Sequence, residues 1–280
     1  MKCSRIGLAP AILLLSLLSV GAQVSKTKKI KLEAGVEIGG IYEIERKVKT
    51  TMSGGSQDHI ATEDYTLTVA PSGREGKDKL VSSRVNRVRI ETNATGDGKR
   101  IAYDSADRNK QHPSLAEMGK AMLGVTSTAV YGEDNVFKSF GAGATDERSQ
   151  RAMQQLTDLG FPDEPVGPGD TWKHRIEAEF GQVGQVVYDL DYTFTKMAKL
   201  DGADCALLSI SGEMNTVPGA RANEGFDLTS RSLSGVMYFD PELGAVRKFE
   251  INAKVDINAY GKKMGASMTM SNVLKKFSKR

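Results

Sequence analysis

The side chains that could do chemistry in this sequence are few and widely spaced. The three histidines, His59, His112 and His174, lie far apart and lack the spacing of a metal site or a catalytic pair. Phosphate-loop, serine-elbow and paired-cysteine motifs are absent from the sequence. Asp189 and Asp191 fall on one strand face, as paired carboxylates would, but threonines on that face favour solvated surface. The sequence therefore predicts no catalytic residue, no metal, no cofactor and no enzymatic activity.

Methionine and aromatic residues are concentrated in the second half of the chain. Met264, Met268 and Met270 occupy even positions of the last predicted strand, so they share one face. Closely spaced thioethers can bind copper(I), but a core or pocket wall is the commoner use of such a stripe, because methionine fills irregular apolar space. We expect an adaptable cavity for a lipophilic ligand, with tyrosine hydroxyls as its polar contacts. The predicted ligand-binding residues are Tyr188, Tyr192, Phe194, Met237, Phe239, Met264, Met268 and Met270.

These side chains must be positioned by β-strands, because apolar and polar residues alternate along most of the chain. The even positions of 186–194 are apolar and the odd positions are mostly polar, and 249–257 repeats this period of two. Turn sequences rich in glycine and proline, such as 54–56 and 241–244, separate the strands. Strands with one apolar face are typical of antiparallel sheet, so we expect about ten or more antiparallel strands.

The first half of the chain recurs loosely in the second half, in the same order. Such an ordered series of matches indicates duplication, with halves at about 30–143 and 161–277. The matched pairs are Val36-x-x-Gly39-x-x-Tyr42 with Val166-x-x-Gly169-x-x-Trp172, Asp64-Tyr65-Thr66-Leu67-Thr68 with Asp191-Tyr192-Thr193-Phe194-Thr195, Asp78 with Asp204, Tyr103-Asp104 with Tyr238-Phe239-Asp240, and Val136-Phe137-Lys138-Ser139-Phe140 with Val246-Arg247-Lys248-Phe249.

Helix is predicted at only two places. The first helix, Pro113 to Leu123, has proline at its start and glycine behind it, and it is an insertion in the first half. The second, at about 146–159, joins the two halves. The fold class is therefore mainly β: a duplicated, strongly curved antiparallel sheet, half-barrel-like, with two short helices. We expect residues 23–280 to form a single β-rich domain around one continuous sheet.

The N-terminus predicts export. Lys2 and Arg5 precede an apolar stretch from Ile6 to Val20, and small residues end at Ala22, where a signal peptidase would cleave. The apolar stretch is shorter than the ~20 residues that a membrane span needs. The mature chain would keep one cysteine, so it would hold no internal disulfide, as suits a periplasmic or extracellular bacterial protein stabilised by its core.

Charge argues against a nucleic-acid partner. The formal net charge of +3 falls to +1 when Lys2 and Arg5 leave with the signal peptide, which gives no overall field to attract phosphate. Basic residues cluster only at the two ends of the mature chain, where they form solvated tails or a peripheral contact with an anionic membrane surface. They are Lys26, Lys28, Lys29, Lys31, Lys275, Lys276, Lys279 and Arg280.

The segment Pro165-Val166-Gly167-Pro168-Gly169-Asp170-Thr171-Trp172 carries a resemblance. This P-V-x-P-G-D-x-W strand entry looks like that of a family of exported bacterial β-rich proteins of unknown function. More distantly, the layout is similar to the half-barrels of periplasmic lipoprotein carriers, which hold acyl chains between sheet and helices. The resemblance implies an envelope location and a duplicated β architecture, and it brings no assigned activity.

Two functions follow as expectations. The first is an exported envelope protein that binds a lipid or other lipophilic molecule in the concave face of the sheet. The second is a structural or assembly component that binds another envelope protein through a strand edge or apolar patch. An enzyme is the least favoured class, because it needs polar residues that converge in a pocket.

Overall fold

The structure is a computed structural model, and it describes residues 29–33, 40–54, 58–93, 98–133, 137–140, 159–180, 184–216, 226–259 and 262–279. These residues form twelve strands, one α-helix and a short 3-10 helix at Arg108–Lys110. No helix in this part of the chain is long and apolar enough to cross a membrane. The elements are β1 Gly40–Ser53, β2 His59–Glu75, β3 Asp78–Thr92, β4 Ile101–Asp104, α1 Pro113–Met122, β5 Thr126–Tyr131, β6 Phe137–Phe140, β7 Thr171–Phe180, β8 Gly184–Leu200, β9 Ala203–Thr216, β10 Phe226–Asp240, β11 Ala245–Ala259 and β12 Lys262–Lys279.

All twelve strands belong to one antiparallel sheet. Its order is β6-β5-β3-β2-β1-β12-β11-β10-β9-β8-β7, and β4 pairs with β3. Each half is a meander of neighbouring strands, which is what alternating residues and short turns favour. The prediction of a mainly β fold with one continuous antiparallel sheet is confirmed.

The two halves join where the first strand meets the last. β1 pairs with β12 along its whole length, from Gly40 opposite Lys279 to Ser53 opposite Gly265. Consequently β6 and β7, which follow one another in sequence, are the outer strands at opposite ends of the described sheet. Residues 141–170 connect these two ends.

The strands β4 and β5 are two parts of one interrupted strand. β4 pairs with the end of β3, where Ile101 lies opposite Thr92, and β5 pairs with its beginning, where Tyr131 lies opposite Lys79. Between them the chain leaves the sheet and forms α1, the helix predicted as an insertion. The helix ends at Met122, one residue before the predicted end. The second predicted helix, at about 146–159, lies outside the described residues except for its last residue, Leu159.

One face of the sheet is apolar across both halves. Residues directly opposite each other in an antiparallel ladder share a face, so a row of such pairs traces that face from strand to strand. We call it the inner face. One row on it runs from β8 to β3 through Phe194, Leu208, Met237, Phe249, Asn272, Arg46, Tyr65 and Val88.

The inner face of the first half is covered by α1. Leu115 of the helix is buried with Tyr65, Val88, Ile90 and Tyr103 of the sheet. The helix also presents Gly119, where a Cβ atom would overlap the ring of Tyr103. This close approach explains a glycine inside a helix, where it costs about 1 kcal/mol relative to alanine.

The inner face of the second half is covered by two segments of the chain itself. Residues 29–33 and 159–166 meet in a two-way backbone bridge between Ile30 and Val166, with both N–O distances 2.8 Å. Leu32 and Val166 are buried in the second core, and Phe161 packs edge-on against Phe239 at 4.7 Å between ring centroids. The buried members of that core are Leu32, Val166, Leu190, Tyr192, Phe194, Ala206, Leu208, Ile210, Met237 and Phe239.

The P-V-x-P-G-D-x-W segment is the turn that anchors this cover. The Asp170 carboxylate accepts the Gly167 N–H at 2.9 Å, which is the main cause that lowers its pKa, and Gly169 takes a φ of +95° that favours glycine. Backbone bonds from Gly169 to the Phe194 carbonyl and from Phe194 to the Asp170 carbonyl fix the turn on β8. The predicted role of this segment as a strand-starting turn agrees with these contacts.

Two buried carboxylates, Asp104 and Asp240, end strands in the two halves. Asp104 pairs with Arg87 at 2.7 Å and accepts the Ala106 N–H, whereas Asp240 pairs with Arg247 at 2.7 Å and accepts two backbone N–H groups. The two positions matched in the sequence repeat, but their places in the sheet differ. Asp104 lies opposite Arg89, near the end of β3. The residue before Asp240 pairs with a residue near the start of β9. They share a local motif and differ in register.

We predict that Asp104→Asn makes the free energy of unfolding less dependent on acid pH. The Arg87 guanidinium and then the Ala106 N–H hold the pKa of Asp104 below its ordinary value. The stabilisation is therefore complete above the unfolded pKa of about 3.9 and is lost as pH falls through the lower folded pKa. Urea unfolding should show a deficit of about 1.5–3 kcal/mol for the variant at pH 5 to 7, shrinking below about pH 4.

The control for this prediction is Asp191→Asn, which removes an exposed ion pair with Lys173. It should change stability by less than about 0.5 kcal/mol at any of these pH values. A deficit for Asp104→Asn that stays constant down to pH 2 would contradict the assignment.

Candidate functional site

The eight predicted ligand-binding residues fall into two groups in the structure. Tyr192, Phe194, Met237 and Phe239 lie together in the second core and are at most 4% exposed. Tyr188 is half-buried beside them, and its burial raises its pKa to about 12. Apolar side chains from the chain's own segments 29–33 and 159–166 pack into the same core and cover this group.

This aromatic group is tied to its cover by specific contacts. Trp172 stacks on Tyr192, with ring centroids 5.4 Å apart and planes 8° from parallel, and its indole N–H donates to the Gly160 carbonyl at 2.8 Å. Gly160 has a φ of +62°, and a Cβ atom there would overlap the His174 ring. Five of the predicted ligand residues therefore hold the cover in place.

The other three predicted residues, Met264, Met268 and Met270, lie on β12 in the middle of the sheet. Their neighbours on the inner face come from β11 and β1, where Met270 lies between Ile251 and Val48. We call this region the central strip. It comprises Val48, Thr50, Met52, Ile251, Ala253, Val255, Met264, Ala266, Met268 and Met270.

The central strip is exposed to solvent, whereas the cores on either side of it are buried. Met52 is 45% exposed and Met268 is 38% exposed, and every other strip residue is half-buried. The α1 cover rests on β3 and β4 and reaches Tyr65 of β2 through Met122. The buried sheet residues under the second cover lie on β8 to β10, and Val246 and Phe249 of β11 pack at the edge of that core. Four strand spacings separate β2 from β10, about 19 Å. The strip is the floor of a trough of that width between two covers.

Four polar residues interrupt the apolar inner face at one end of the strip. The Arg46 Nε donates to the Asn272 Oδ1 at 2.8 Å across the β1–β12 junction. On the next strand the Tyr65 hydroxyl donates to the Glu63 carboxylate, and burial is the largest cause that raises the pKa of Tyr65. Arg46, Glu63, Tyr65 and Asn272 form what we call the polar cluster.

Arg46 differs from two other arginines of the described residues, Arg87 and Arg247, in its partners. Arg87 and Arg247 each form an ion pair with a buried aspartate, whereas no described carboxylate lies within ion-pair distance of the Arg46 guanidinium. Desolvation lowers the pKa of Arg46, which reflects the cost of holding its charge away from water. The trough therefore has an apolar floor and a positive charge at one end.

Sequence reasoning did not single out Arg46, although a signal was present. Tyr42, Ile44 and Val48 predict one inward face of β1, and Arg46 occupies the same parity. A charged residue at an inward position of an apolar alternation marks either a paired core charge or a site. Its partner Asn272 is 226 residues away, so the sequence period could not reveal the contact.

The remaining chemical candidates are surface features. Asp189 and Asp191 form exposed ion pairs with Arg175 at 3.3 Å and Lys173 at 2.9 Å. Within the described residues, no group of three or more histidine, cysteine, aspartate or glutamate residues is placed to hold a metal ion. Basic residues near the chain ends are partly engaged, because Lys29 pairs with Asp170. The others with described ion pairs are Lys31, Lys275 and Lys276.

The likeness of this chain to known proteins is weak. No family model matches the chain, and no curated protein matches it. Among solved structures, it is similar to the crystal structure of a DUF1329 family protein from Desulfovibrio piger ATCC 29098, with 9% sequence identity, 84% of this chain and 86% of that chain covered, and a TM-score of 0.18. A likeness at that level carries no argument about fold, activity or ligand.

We predict that Leu32→Ala destabilises the second core. Leu32 is 3% exposed and belongs to the cover, so its truncation should lower the free energy of unfolding by about 2–5 kcal/mol. Trp172 is the only tryptophan and packs on that core, so its fluorescence during urea unfolding measures the loss. Lys31→Ala, at the exposed neighbouring position, is the control. Equal urea midpoints for the two variants would show that the cover is not packed there.

Proposed function

We propose that this chain is an exported, non-enzymatic envelope protein that binds a lipophilic molecule on the central strip. The observation that carries the proposal is the open apolar floor around Met268, flanked by two closed cores. Monomeric proteins rarely expose contiguous apolar patches larger than a few hundred Å² without a binding role. The four methionines of the strip suit a variable apolar ligand, because their side chains are flexible and polarizable.

The apolar floor can supply enough free energy for binding. Burial of one methylene contributes about 0.8 kcal/mol. A twelve-carbon chain that lies on the floor and hides roughly half of its surface therefore gains about 5 kcal/mol before the cost of association. The trough walls formed by the two covers would add further contacts.

Export is part of the same proposal. The basic start, apolar stretch and small residues at 20–22 support cleavage of a signal peptide, and the mature chain would act in the periplasm or outside the cell. An apolar molecule needs a carrier in such an aqueous compartment. Basic residues near the chain ends would supply a peripheral contact with an anionic membrane.

An assembly component that binds another envelope protein is the second candidate. A specific observation favours it: Met118 within α1, and Leu123 and Val125 just after its end, are 39–51% exposed and close in sequence. In-cell crosslinking from position 123 to one envelope protein, with no bound lipid in the native mass spectrum, would favour this candidate over the first.

We predict that Met268→Glu abolishes binding of a neutral apolar probe. Wild-type protein should bind N-phenyl-1-naphthylamine saturably, as measured by its fluorescence. The variant should bind it at least about 30-fold more weakly, because a charge on the floor must be desolvated at a cost of about 2 kcal/mol or more.

The matched control is Thr269→Glu, which places the same charge on the adjacent, exposed residue of the opposite sheet face. Its affinity for the probe should equal that of wild type. Absence of saturable binding to wild type, or equal loss in both variants, would contradict the proposed site.

We also predict that the mature protein begins at Gln23. Expression of the full chain in a Gram-negative host should place the protein in the periplasmic or extracellular fraction, and N-terminal sequencing should read from residue 23. A protein that keeps residues 1–22 and sediments with membranes would contradict export as a free carrier.

A further inference from the structure

We infer that the ligand of the central strip is an amphiphile with an alkyl chain and an anionic head group, and that Arg46 and Asn272 bind the head. This inference rests on the proposed function and names the class of ligand. It follows from the position of the polar cluster at the end of an apolar floor.

The Arg46 side chain is oriented as an anion receptor. Its Nε–H is fixed by the Asn272 Oδ1 at 2.8 Å, and the two terminal nitrogens have no described hydrogen-bond partner. Because the Asn272 oxygen faces Arg46, its Nδ2 group is left with two N–H donors. A guanidinium that keeps two terminal nitrogens free can bind a carboxylate or phosphate with paired hydrogen bonds.

The charge of Arg46 needs a counter-ion. The residue is half-buried on the inner face. Phe249 lies in the same row, on the far side of Asn272, and Met270 lies in the next row. A charge partly removed from water is costly unless it is paired, and the buried Asp104 and Asp240 obey that rule by pairing with Arg87 and Arg247. An anionic head group would supply the missing partner.

One acidic residue faces the same region and constrains the head position. Glu63 lies opposite Val48, one row from Arg46, and its carboxylate accepts a hydrogen bond from the Tyr65 hydroxyl. Tyr65 stands opposite Arg46 on the next strand. A bound anion would therefore avoid the β2 side and sit towards Asn272 and β11, where the facing residues carry no charge.

The direction of the strip matches a chain that starts at this head. From Met270 to Met264 the strip runs six residues along β12, about 20 Å. One lipid chain spans roughly half of a ~30 Å hydrocarbon core. An alkyl chain whose head contacts Arg46 would thus lie along the three methionines.

The test compares dodecanoate, 1-dodecanol and acetate by isothermal titration calorimetry on the mature protein, below the aggregation limit of each amphiphile. Wild type should bind dodecanoate more tightly than dodecanol, and acetate should give no saturable heat. Arg46→Gln should weaken the binding of dodecanoate about 10- to 100-fold, which is the value of a hydrogen bond to a charged group. The affinity for dodecanol should be unchanged.

Asn272→Asp is the second variant. It places a carboxylate against Arg46, and this carboxylate should compete with the head group. The affinity for dodecanoate should therefore fall at least about 10-fold, while the affinity for dodecanol is unchanged. Removal or pairing of an unpaired charge should leave both variants as resistant to urea as wild type, or more so. If Arg46→Gln does not fold, Asn272→Asp decides alone.

The outcomes separate the two proposals. If wild type binds neither twelve-carbon probe, the proposed function fails and this inference fails with it. If dodecanoate and dodecanol bind equally to wild type and to both variants, the strip is a lipophilic site and the inference of an anionic head group is wrong. Saturable binding of acetate that matches dodecanoate would also overturn the inference, because the alkyl chain would then contribute nothing.

Discussion

The pairing of β1 with β12 is the constraint on which the rest of the structure depends. Each half is a meander that its local turns can form, but the apolar face becomes continuous only when the first strand is added beside the last. That pairing places the Met270 row of β12 between β11 and β1 and brings Arg46 to Asn272. A hydrogen-bonded ladder of this length is also cooperative, because each pair fixes the register of the next.

The two covers explain why one part of the inner face is open. A sheet with one apolar face must cover that face, and this chain uses an inserted helix on one side and segments 29–33 and 159–166 on the other. The covers rest on the outer parts of the sheet, to either side of β11, β12 and β1. The junction of the halves is thus the part of the apolar face that no described cover element buries, and it is also where Arg46 lies, with no carboxylate partner among the described residues.

Much of the fold could be predicted because the period of a strand is local. Alternation along β8 correctly placed Tyr188, Tyr192 and Phe194 on one face, and the parity of Met264, Met268 and Met270 correctly placed them together. The ligand role of these eight residues stays a prediction. Their burial could not be read from the pattern, because the cover over Phe194 comes from Leu32 and Phe161, which are distant in sequence.

The sequence by itself determined the strands, their inward residues and the glycine turn before Trp172, since each depends on neighbours a few positions away. It also carried a signal at Arg46, a charge at an inward position. Only the tertiary structure decided that Phe194 is buried and Met268 is exposed. It also decided that Arg46 contacts Asn272 and no carboxylate among the described residues. The physical reason is that strand pairing and covering segments join residues up to 239 positions apart, from Gly40 to Lys279, a separation on which local periodicity carries no information.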